Sequence, residues 1–151
     1  MAIPKVINDS SSQGVDTPDY NGFSKVVPCG ATAITADKMM GLAAVGTSDG
    51  LAYVASDAAS RRVIGIIVGG GTDLDGVVAT SGQDVVIRAG TYMFANDTGT
   101  AVTRASIGAK CYVKDYKTVT GAAGSNSVIA GMVIDIRDGL VAVAVGLGYM
   151  A

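Results

Sequence analysis

The chain has 151 residues, of which 49% are hydrophobic and 16% charged, with a net charge of −2 and no histidine. This length suits one domain, or one domain with an arm, and can bury about 70% of the unfolded surface. The charge pattern holds no basic stripe for nucleic acid, no apolar run reaches the roughly 18 to 20 residues of a membrane span, and without histidine Ser-His-Asp and Cys-His catalysis and most zinc chemistry fall away.

All 13 acidic residues are aspartate. Glutamate favours helix, whereas aspartate favours turns and caps. Glycine, at 21 residues, is about twice its usual share of roughly 7%. Glycines set between short Val/Ile runs suit turns, bulges and close strand contacts. These features predict an all-β fold, a small β-barrel or sandwich. A chain so poor in charge must also bury apolar surface against a second copy or a larger assembly.

Residues 1–25 read as an extended N-terminal arm. Asn8-Asp9-Ser10-Ser11-Ser12-Gln13-Gly14 is small and polar, and Pro4, Pro18 and Gly22 break regular structure. Fully extended, such an arm reaches up to ~80 Å. Its apolar anchors, Ile3, Pro4, Val6, Ile7, Tyr20 and Phe23, are candidate interface residues. Met1-Ala2-Ile3-Pro4-Lys5 has no apolar signal core, so synthesis in a cytoplasm is expected.

Residues 26–151 form the predicted body. A brief β-like run covers residues 23–27. Thr35 could cap a short helix, but Gly41 in the following stretch argues for strand. Residues 42–45 and 51–54 flank Thr47-Ser48-Asp49-Gly50, and Asp-Gly between apolar runs signals a hairpin. A strong strand follows at 63–68, broken by Gly69-Gly70-Gly71. A short strand at 76–79 and strands at 84–88 and 91–94 come next, then a loop at 96–100. Residues 109–113 and 118–120 form a pair, 121–126 a surface loop. The chain closes with a long hairpin, 128–136 and 140–145, about Arg137-Asp138-Gly139. Turn signals thus come about every 8 to 12 residues, the spacing of a sandwich or small barrel.

Within this pattern lies a near-repeat. Arg62-Val63-Ile64-Gly65-Ile66-Ile67-Val68 recurs, 66 positions on (62 to 128), as Val128-Ile129-Ala130-Gly131-Met132-Val133-Ile134. Each copy is a β-branched run around one glycine, followed by a turn and a second apolar run. This predicts two related strand pairs closing one small β-structure.

Groups for chemistry are sparse. Asp73-Leu74-Asp75-Gly76 could offer oxygen ligands to Ca²⁺, but lacks the rest of a calcium loop and reads as an aspartate-rich turn. Gly69-Gly70-Gly71 is followed by no Gly-Lys-Ser/Thr, so it is not a phosphate loop. No catalytic residue, metal or cofactor is expected. Arg61-Arg62 is a small positive spot suited to a solvated loop or an ion pair across an interface. Tyr92 and Phe94, two apart, share a strand face and suit core or interface packing. Cys29 and Cys111 form no CxxC pattern and read as reduced, buried thiols.

The order of elements across residues 40–67 resembles a phage family. An apolar strand (Leu42-Ala43-Ala44-Val45) leads to an Asp-Gly turn (Ser48-Asp49-Gly50). A short strand ending in Ala55-Ser56-Asp57 then precedes Val63-Ile64-Gly65-Ile66. Residues 84–90, Ile107-Gly108-Ala109-Lys110-Cys111-Tyr112-Val113 and the final hairpin continue it, so the likeness spans roughly residues 30–146. The family is that of capsid decoration, or cement, proteins of tailed bacteriophages. The resemblance implies a compact barrel-like body with no catalytic residues, bound to the outer surface of the major capsid protein shell and bridging neighbouring capsomers. A homotrimer on the capsid is expected, with a dimer as the alternative; Arg61, Arg62, Tyr92 and Phe94 are the candidate contacts of the body. A head-fibre, tail or baseplate component is the alternative function, and a ligand-binding β-module a further one.

Overall fold

The computed structural model describes residues 24–72 and 76–146. These residues are 54% strand and 5% helix, an all-β fold. Twelve strands are formed: β1 (Ser24–Pro28), β2 (Ile34–Thr35), β3 (Leu42–Gly46), β4 (Ala52–Val54), β5 (Arg61–Gly70), β6 (Val77–Ala79), β7 (Asp84–Arg88), β8 (Gly90–Asn96), β9 (Lys110–Asp115), β10 (Thr118–Thr120), β11 (Ile129–Arg137) and β12 (Leu140–Val145). The expected strand pairs are present as β3·β4, β5·β7, β9·β10 and β11·β12, all antiparallel. At the β11–β12 turn Asp138 and Gly139 have φ of 55° and 78°, the left-handed pair that a two-residue hairpin turn requires.

The assembly of these pairs differs from one closed structure. Two five-stranded units are built with the same plan. The first runs β1-β7-β5-β3-β4, and the second is a closed barrel, β8-β12-β11-β9-β10. Every neighbour in the first order has its counterpart in the second. The contact that closes the barrel has a single-bridge counterpart in the open first sheet. In the barrel β10 runs parallel to β8, with Thr118 opposite Ala95. In the first unit Ala52 bridges Cys29 in parallel, and 66 residues separate both members (52 to 118, 29 to 95). A short 3-10 turn, Ala36–Lys38 or Arg104–Ser106, precedes the second strand of each unit in chain order, β3 or β9. After it the chain turns through a positive φ, at Met40 (64°) and Gly108 (89°).

The sequence repeat sits at the heart of this duplication. Gly65 lies on β5 and Gly131 on β11, and each strand bulges at the residue before its glycine, Ile64 and Ala130. Bulges of this kind bend a strand sharply enough to close a small barrel. A side chain is excluded at both glycines. A Cβ at Gly65 would stand 2.6 Å from the Arg88 carbonyl oxygen, and one at Gly131 would collide with the Ala144 carbonyl oxygen.

Each unit has its own core. Val27, Cys29, Ala43, Ile67, Val85 and Ile87 fill the first. Phe94, Cys111, Val113, Val133, Val141 and Val143 fill the second. Leu42, Ala44 and Ile66 leave the outer face of the first unit and join the second core. Strands β3 and β5 are therefore covered on both faces. This explains why Leu42, Ala43 and Ala44 are all fully buried without polar alternation.

Candidate functional site

The two units meet at a groove of about 620 Å³. Its walls are residues 61–64 and 127–131, with Gly146 at one end. The first stretch maps onto residues 127–130 by the 66-residue offset, so equivalent segments of the two units face each other. The lining is apolar apart from Ser127 and the two arginines. Next to the groove, Asp57 and Asn126 tie together the β4–β5 and β10–β11 loops. The Asn126 N–H donates to Asp57 Oδ1 at 3.0 Å, and its side-chain amide donates to the Asp57 carbonyl at 2.9 Å. On the other side the Leu42 N–H donates to the Tyr116 carbonyl at 2.7 Å, docking the β9–β10 turn on the first unit.

Arg61 and Arg62 both line the groove. Arg61 stacks on the Tyr53 ring, 3.8 Å from its centroid. The Tyr53 hydroxyl donates to Asp49 Oδ2 at 2.7 Å, and the Leu51 N–H donates to Asp49 Oδ1 at 3.0 Å. The Leu51 N–H, then the Tyr53 hydroxyl and the Arg61 charge, hold the Asp49 carboxyl below its ordinary range; the bond to Asp49 pushes the Tyr53 phenol up. Arg61 is thereby held in place, while Arg62 is exposed.

The aromatic candidates separate. Phe94 is buried inside the barrel core, so it packs the interior and is not a surface contact. Tyr92 is half-buried against the same core, and burial raises its phenol. With Met40 and Arg88 it lines a smaller hollow of about 410 Å³. Ile3, Pro4, Val6, Ile7, Tyr20 and Phe23 lie outside the described residues, as do Asp73 and Asp75. Cys29 and Cys111 are free and buried, one in each core. Among the described residues no cluster of three or more potential metal ligands is present, and no helix is long and apolar enough to cross a membrane.

Exposed apolar side chains recur at equivalent places. Val26, opposite Val86 on β7, is 56% exposed, and Met93, opposite Ala142 on β12, is 49% exposed. Met39 and Ile107, each closing a 3-10 turn, are both 39% exposed. The wall at residues 127–131 and these paired positions were not singled out from the sequence. The signal for the wall was the 66-residue repeat itself; the exposed pairs are 67 (26 to 93) and 68 (39 to 107) residues apart and correspond through strand pairing and the two 3-10 turns. Comparison of the chain with protein-family models, curated proteins and solved structures finds no match.

Proposed function

We propose that this chain is a capsid decoration protein of a tailed bacteriophage. In this reading it binds the outer surface of the major capsid protein shell and bridges neighbouring capsomers, as a homotrimer with a two-fold dimer as the alternative. The observation that carries the reading is the duplication: one chain presents two similar units, each with an exposed apolar residue at Val26 or Met93 and at Met39 or Ile107. A partner that is itself repeated, such as a lattice of identical subunits, suits a ligand with two similar faces. Two weak contacts joined in one body gain about 10² to 10⁴ in avidity when both can engage. The order of elements over residues 30–146 supports the same reading by resemblance. In the second unit closure directs association to barrel faces, since it removes the outer edges that would pair with another chain.

The test is to add the purified chain to undecorated shells of the phage that encodes it. Saturable binding in fixed ratio to the capsid protein, with a higher shell melting temperature, is expected. Binding confined to tails, or no binding, overturns the proposal. Electron microscopy of decorated shells then separates trimers at three-fold positions from dimers at two-folds.

A further inference from the structure

We propose that a second copy of this chain packs on the outer face of the barrel formed by β8, β12 and β11. Directly paired residues share one face of a sheet, so the register sorts these strands into an inner and an outer side. Phe94, Val133, Val141 and Val143 belong to the barrel core. The pairs between them, Met93 with Ala142, Ala95 with Leu140, and Met132 with Ala144, therefore lie on the outer side. The β11 register shifts between Val133 and Asp135, so Ile134 is an extra residue in that strand. Ile134 and Leu140 are 42% and 41% exposed, close to Met93 at 49%. An antiparallel sheet with one face in water alternates apolar with polar residues. Here the outer side is apolar as well, across three neighbouring strands. Strand β3 shows the same lack of alternation, and there both faces are covered. A contiguous exposed apolar patch of this kind marks a contact surface.

The rim of the patch selects the occupant. Asp135 sits opposite Ala142, with Arg104 Nη1 at 3.6 Å and Arg137 Nη2 at 3.3 Å from its carboxylate. Both arginines are largely exposed, and Asp138, next in the hairpin turn, is exposed too. Two cationic and two anionic side chains thus edge one apolar centre. A partner of a single strong charge sign would meet like charges on this rim, whereas a copy of the same face offers both signs in return. An apolar centre with a polar rim is the anatomy of a specific protein interface, where methionine is enriched. The inference deepens the homo-oligomer of the reading above by naming the face through which copies meet. It is tested with no shell present, so its failure and the failure of shell binding are separate results.

Sedimentation velocity of the purified full chain, from roughly 1 μM to 1 mM, reads association over the range of modest affinities. The chain should pass from monomer to oligomer within that range. Met93→Lys and Leu140→Lys each place a charge in the apolar centre, where burial without a partner is costly. Each should move the midpoint at least about 10-fold higher in concentration, with far-UV circular dichroism unchanged. Val26→Lys, on the first unit, should leave the midpoint in place. A chain that stays monomeric throughout overturns the inference, even if it binds shells. Association that both barrel variants leave unchanged, or that Val26→Lys weakens as much, overturns it as well, since the contact would then lie elsewhere.

Discussion

Substituting Gly131→Ala probes the feature on which both units depend. The new methyl would collide with the Ala144 carbonyl oxygen and stand 2.7 Å from Val143 Cγ1. The carbonyl belongs to the paired strand β12, so relief requires backbone movement inside a closed barrel. Overpacking of this kind costs about 1 to 3 kcal/mol, and a backbone obstacle places it at the upper end. At a urea slope of roughly 1–3 kcal/mol/M, a loss of about 3 kcal/mol lowers the midpoint by at least about 1 M. Gly65→Ala meets the Arg88 carbonyl oxygen at 2.6 Å and Ile87 Cγ2 at 2.7 Å, so it should lose a similar amount. Gly50→Ala is the control. Nothing lies within 4 Å of its Cβ and φ is 69°, so only the left-handed backbone penalty of about 1–2 kcal/mol applies. Urea unfolding followed by circular dichroism reads all three. Wild-type midpoints for both Gly65→Ala and Gly131→Ala would refute the close-approach argument, and a loss at one glycine alone would refute their equivalence.

Three further outcomes follow from the packing and the charges. Ile66→Ala should lower stability by about 2–5 kcal/mol, because Ile66 is fully buried where the first unit enters the second core; calorimetry should also show whether the two units still melt together. Burial pushes the Cys111 thiol from 9.0 up to about 12. Since the folded value is the higher one, its contribution is complete below about pH 9 and is lost as pH rises towards 12, by up to ~4 kcal/mol; Cys111→Ala should flatten that alkaline loss in urea titrations, and the native thiol should resist a thiol reagent until the protein unfolds. Asp49 and Asp97 are held below the ordinary carboxylate range, each chiefly by a backbone N–H, of Leu51 and Gly99 respectively. Their stabilisation is present above about pH 4 and fades as pH falls through the lower folded values, so Asp49→Asn should lessen the acid sensitivity of the melting temperature.

Local chemistry made much of this protein legible from its sequence. Asp49-Gly50 and Asp138-Gly139 marked two hairpins, because glycine and aspartate accept the backbone angles that tight turns need. The β-branched runs located β5 and β11, and the Gly65/Gly131 repeat pointed to two related strand pairs, which the structure places in two separate five-stranded units. What the local pattern could not carry was the choice of partners. Strand β8 follows β7 in sequence yet pairs with β12 and β10, a pairing decided by loop lengths and by the fit of two cores. Phe94 and Tyr92 share a face, but only the closed barrel decides that this face is the interior. Leu42, Ala43 and Ala44 carry no alternation because both faces of β3 are covered, and a strand buried on both sides leaves no polar record of which side meets which core. The groove between residues 61–64 and 127–131 likewise exists only once the two units are set side by side, since neither wall contains it alone.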